Sequence, residues 1–207
     1  MEPVVRDISF SPKPMEEIIK ILGFAGSLRK ESYNRSALRA AVKLVPQGAQ
    51  LDTVELDNIP PFNEDHEREP PYAVRAFKVA IKAADAILIV TPEYNYSVPG
   101  VLKNAIDWAS RPYGDNAWDG KTVGVMGASS GMLGTARAQY HLRQMFVFLN
   151  MFPVNQPEVM IPHADDKFDN EGNLKDQQTT QKIRKLLETL IEWTKSLQKA
   201  KPGLARG

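Results

Sequence analysis

Short, largely apolar runs alternate with segments whose apolar positions recur every three to four residues, and this alternation continues from Ile18 almost to the end of the chain. The apolar runs predict five strands, at 18–25, 51–56, 86–90, 121–128 and 154–161. Helical spacing predicts a helix over 34–45 with Leu38, Ala41, Val42 and Val45 on one face, and a second burying Val74, Phe77, Ile81 and Ala84. Further helices are expected over 100–110, and over 135–150 with Leu142, Met145, Phe146 and Leu149 on one stripe. A last long one carries Ile183, Leu186, Leu187, Leu190, Ile191 and Thr194. Strands and helices in this alternation build right-handed crossovers around a parallel sheet. The expected fold class is α/β, a doubly wound five-stranded parallel sheet of order 2-1-3-4-5. In that order the loops after strands one and three meet in a crevice, where open sheets bind ligands.

Composition narrows the chemistry. The chain has 207 residues, enough for one domain, expected over 18–198; residues 1–17, with three prolines, read as a flexible extension and 199–207 as a frayed tail. A net charge of +1 predicts neither nucleic acid nor an anionic membrane as partner. No run is apolar and long enough for a signal peptide or a membrane span, so a cytoplasmic protein is expected. With no cysteine in the chain, disulfides and thiol redox chemistry are excluded, and any redox activity must reside in a bound cofactor. His66, His141 and His163 share no ligand spacing, so no metal site is predicted.

Two loops carry unusual chemistry. After the first strand, Gly26-Ser27-Leu28-Arg29-Lys30-Glu31-Ser32-Tyr33-Asn34 gathers hydroxyls, an amide and cations where a helix begins. Unpaired helix-start amides, serine hydroxyls and a guanidinium suit an anion, and the absence of either glycine-rich nucleotide fingerprint favours a monophosphate. The same residues also fit simple helix capping by Ser32 or Asn34. After the third strand comes Thr91-Pro92-Glu93-Tyr94-Asn95-Tyr96-Ser97-Val98-Pro99, whose prolines stiffen a polar strand-end loop and hold its amides toward a planar ligand.

Together these segments, with Leu102-Lys103-Asn104-Ala105-Ile106-Asp107-Trp108, resemble the NAD(P)H-dependent FMN reductase family, and within it the chromate and quinone reductase branch that includes azo-dye reductases. The resemblance implies a flavodoxin-like fold, non-covalent FMN and NADPH or NADH as electron donor. Small acceptors such as quinones, azo compounds or chromate are implied too. It implies that Ser27, Arg29, Ser32 and Asn34 hold the phosphate and that Leu28 also binds the cofactor. Pro92, Glu93, Tyr94, Asn95, Tyr96 and Ser129 would line the ring, with no catalytic side chain in the strict sense. A homodimer or homotetramer is implied as well, with Arg137, Tyr140 and Glu158 able to make contacts across it. Two rivals remain. A flavodoxin-type carrier would bind FMN and pass electrons to proteins. Gly127-Ala128-Ser129-Ser130-Gly131 also fits the nucleophile elbow of a serine hydrolase, though no acid and histidine follow at suitable places.

Overall fold

The computed structural model describes residues 18–200. Its elements are β1 (Ile19–Ala25), α1 (Tyr33–Leu44), β2 (Ala49–Thr53), α2 (Tyr72–Ala83), β3 (Ala86–Val90) and α3 (Gly100–Ala109). They continue with β4 (Thr122–Ala128), α4 (Ala136–Leu149), β5 (Phe152–Pro153), β6 (Val159–Ile161), α5 (Ala164–Lys167) and α6 (Gln177–Ala200). All strand pairs are parallel, in the order β2-β1-β3-β4-β5, and β6 also pairs with β4. This is the doubly wound α/β sheet expected from the alternation of elements.

The central strands are covered on both faces, and side chains alternate between two cores. Ile19, Ile21, Ala86, Leu88, Val90 and Met126 face α1 and α6, packing with Ala37, Leu38, Ile183, Leu187 and Leu190. Leu22, Phe24, Ile87, Ile89, Val123 and Val125 face α2, α3 and α4, packing with Phe77, Ile81, Leu102, Ile106, Leu142 and Phe146. The buried stripe of α6 is the predicted one, Thr194 included, whose hydroxyl meets that of Thr122 at 2.6 Å.

Three boundaries differ from expectation. β2 pairs with β1 through residues Ala49 to Thr53 and not over 51–56. The chain leaves the sheet after Thr53 and carries Leu56 around the edge into the opposite core, so two apolar positions that look like one strand serve different faces. The fifth strand is broken in two: β5 pairs with Thr122 and Val123, β6 with Met126 to Ala128. Between them Pro157 has no N–H to donate, and Asn155 instead accepts from Arg143 Nη1 at 3.3 Å. On α1, Val42 lies outside the buried face, at 39% exposure. The extension at 1–17 lies outside the described residues, as do residues 201–207 of the tail; Lys199 and Ala200 still belong to α6.

Parallel strands place every β-to-α loop at one sheet edge. The 57–71 loop is strapped down beside it, where Asn104 Oδ1 accepts from the amide of Phe62 at 2.7 Å, and Asn104 Nδ2 and Trp108 Nε1 donate to the carbonyl of Pro60 at 2.8 and 2.7 Å. No described helix is long and apolar enough to cross a membrane.

Candidate functional site

The loops after β1, β3 and β4 are stitched together where they leave the sheet. The Gly26 amide donates to the Val90 carbonyl at 2.8 Å, and that of Thr91 to the Met126 carbonyl at 2.9 Å. At Gly26 the fit is close, since a Cβ would press on Pro99 and Leu102 at the start of α3, at 3.1 to 3.2 Å. Gly127 is more constrained, since a Cβ there would overlap the Thr91 carbonyl and Thr135 Oγ1.

In the β1 loop Ser27 and Ser32 are buried, while Leu28 and Arg29 face outward. Ser32 is the N-cap of α1, its Oγ accepting from the Asn34 amide at 3.2 Å. The Asn34 side chain reaches β4: its Nδ2 donates to the Ala128 carbonyl and its Oδ1 accepts from the Ala128 amide, both at 2.9 Å. It therefore joins the start of α1 to the end of β4. Arg35 holds the loop from behind, donating through Nε to the Ser27 carbonyl at 3.0 Å and pairing with Glu55 at 2.6 Å. Arg29 makes no ion pair among the described residues; its guanidinium lies 5.7 Å from the Tyr33 ring centroid.

The β3 loop folds into a tight turn. Tyr94 and Ser97 exchange both backbone hydrogen bonds, at 3.1 and 3.0 Å, and Asn95 and Tyr96 between them have φ of 50° and 67°. Two left-handed residues inside a two-residue hairpin are the type I′ arrangement; asparagine accepts that geometry readily and tyrosine does not. Pro92 is buried, and Tyr94, Asn95 and Tyr96 are exposed, Tyr96 at 70%. Glu93 turns its carboxylate to α4, accepting from the amides of Arg137 and Ala138 at 3.0 and 3.2 Å and pairing with the Arg137 side chain. Hydrogen bonding to Glu93 holds the Arg137 guanidinium protonated beyond the ordinary arginine range. The Ser97 hydroxyl meets His141 Nδ1 at 2.9 Å.

In the β4 loop the Ser129 amide donates to the Ile161 carbonyl at 3.0 Å, and its hydroxyl donates to the Gly131 carbonyl at 3.2 Å. Neither bond recruits a histidine, and His141 is engaged by Ser97. The arrangement of a nucleophile elbow with its base is not assembled here.

Residues 19–166 match the family described as NADPH-dependent FMN reductase. The chain belongs to that family. It is an oxidoreductase with FMN as cofactor and NAD(P)H as donor. It is 50% identical over 185 residues to an NAD(P)H-dependent FMN reductase of Pseudomonas aeruginosa, covering 89% of this chain and 100% of that one. A 2-hydroxy-1,4-benzoquinone reductase of a Burkholderia species is 41% identical over 177 residues, covering 86% and 97%. Among solved structures, the flavoenzyme NAD(P)H:(acceptor) oxidoreductase FerB of Paracoccus denitrificans superposes with a TM-score of 0.80 at 32% identity, covering 86% of this chain and 98% of that one.

The donors at the sheet edge suit the family's cofactor. The buried hydroxyls of Ser27 and Ser32, the first amides of α1 and Arg29, which makes no ion pair among the described residues, are groups that could donate to a phosphate dianion. Leu28, Tyr94 and Tyr96 are exposed and could offer apolar and aromatic contact to a planar ring. Three residues that build this edge escaped sequence reasoning in their actual roles. Arg35 and His141 carry no local signal, and Arg137, expected at a subunit contact, is engaged within its own chain by Glu93 and Tyr96.

Proposed function

We propose that the chain reduces quinones and similar small planar acceptors at the expense of NAD(P)H, with FMN held between the β1 and β3 loops. The observation that carries this reading is the juxtaposition of an anion-suited helix start and a rigid, outward-facing aromatic turn at one sheet edge. The relatives named for quinone reduction support the acceptor class.

FMN, when bound, supplies two-electron chemistry, taking hydride from the donor and passing it to the acceptor. Ser27, Ser32, Arg29 and the amides at the start of α1 would hold the phosphate. Arg35 and Asn34 keep those groups in place through the Ser27 carbonyl and the Ala128 backbone. Pro92 and Pro99 fix the ends of the β3 loop, so its amides and the Ser129 region would hold the ring without reorganising. No side chain of the edge is asked to form a covalent bond, and the solvent exposure of Tyr94 and Tyr96 leaves room for donor and acceptor in turn.

Steady oxidation of NADPH or NADH by the purified protein with FMN and 1,4-benzoquinone tests this. Turnover with one hydroquinone formed per nucleotide oxidised is expected. A protein that binds FMN yet oxidises neither nucleotide would be a flavodoxin-type carrier instead.

A further inference from the structure

α4 begins without a cap of its own. Thr135, at the N-cap position, has a left-handed φ of 72° and makes no capping bond; its hydroxyl accepts from Gln139 Nε2 at 3.1 Å. A helix start leaves its first amides without intrahelical partners. Glu93, from the β3 loop, supplies the missing acceptor to the amides of Arg137 and Ala138. Arg137 then closes the arrangement from outside. Its guanidinium grips Glu93 Oε1 with its edge, while its face lies 3.5 Å from the centroid of the Tyr96 ring. One side chain thereby holds both the foot of the turn, at Glu93, and its tip, at Tyr96. The turn needs holding, because Asn95 and Tyr96 are both left-handed, a costly geometry for a tyrosine.

We propose that Arg137 is a positioning residue for the β3 loop: by clamping Glu93 and Tyr96 against the start of α4, it fixes the Tyr94–Ser97 turn in its ligand-ready shape before any ligand arrives. The proposal rests on the reading of that loop as part of the FMN site. Arg137 acts through the two residues it grips. A guanidinium suits this task and an ammonium does not, since only a planar group can donate at its edge and stack on its face.

Hydrogen exchange in the cofactor-free protein reads the clamp directly, through the amides of Tyr94 and Ser97 that close the turn. In Arg137→Ala these two amides are expected to exchange about tenfold faster than in the wild type, the loss of one charge-assisted contact, while amides of β3 and β4 keep their rates. Arg137→Lys should fall between the two, and Glu93→Gln should loosen the same amides. FMN affinity, from quenching of flavin fluorescence, should weaken by about the same factor in Arg137→Ala, as expected when preorganisation is lost. Unchanged exchange at Tyr94 and Ser97, or faster exchange spread evenly over the sheet, would overturn the proposal. Faster exchange confined to the turn with FMN affinity unaltered would support the clamp and overturn the placement of the flavin against this loop.

Discussion

Asn34 is 3% exposed, with both ends of its amide on the backbone of Ala128. Buried backbone groups left without partners cost about 1–3 kcal/mol each, so Asn34→Ala, which orphans one N–H and one C=O, should lower stability by about 2–4 kcal/mol. Chemical denaturation of the two proteins measures it; a loss under about 1 kcal/mol would show that water replaces the side chain easily. Asn34 could be picked out from the sequence as a special residue near a helix start, but not as a tie to β4, which is ninety-four residues away along the chain. Glu93 teaches the same at shorter range. Its carboxylate, set in a polar loop at a strand end, invites a role in chemistry or ring contact, whereas its partners lie on α4. The tight turn itself, with Asn95 and Tyr96 both left-handed, was not foreseen, because the left-handed Tyr96 is sustained by Arg137, on another element.

At the scale of elements, α6 shows local chemistry with a measurable consequence. Asp176 caps it, accepting from the Thr179 amide at 2.8 Å and the Thr179 hydroxyl at 2.6 Å, with Lys167 Nζ at 2.9 Å. These bonds, Thr179 first, pull its pKa from 3.8 to about 2. The folded state thus binds this proton less readily than the unfolded one. The cap contributes fully above about pH 4 and is lost as pH falls toward 2. The gap in melting temperature between wild type and Asp176→Asn should be widest near neutrality and shrink as pH falls from about 4 to about 2. A gap that stays constant over that range would contradict the account. The strands divide by how their neighbours bind them. β3 has every residue buried and stands where the apolar run Ala86 to Val90 puts it. β2, at the sheet edge, buries only Leu51, and the last strand is interrupted around Pro157, so in both places pattern alone sets poor limits.

For the molecule as a whole, the alternation of elements points to a doubly wound sheet, and the order β2-β1-β3-β4-β5 brings the β1, β3 and β4 loops to one edge. That much of the site was legible, because it follows from topology and from two loops of unusual composition. The interior bracing by Arg35, Arg137 and His141 was not, because each reaches a partner on another element and none sits in a recognisable motif. The most direct test of the central claim is an anaerobic titration of the purified protein, loaded with FMN, with NADPH and separately with NADH, followed by one equivalent of 1,4-benzoquinone. One FMN per chain is expected, with bleaching of its visible absorption by at least one nucleotide and full recovery of the colour on adding the quinone. A protein that takes up no FMN, or whose bound FMN stays oxidised with both nucleotides, would contradict it.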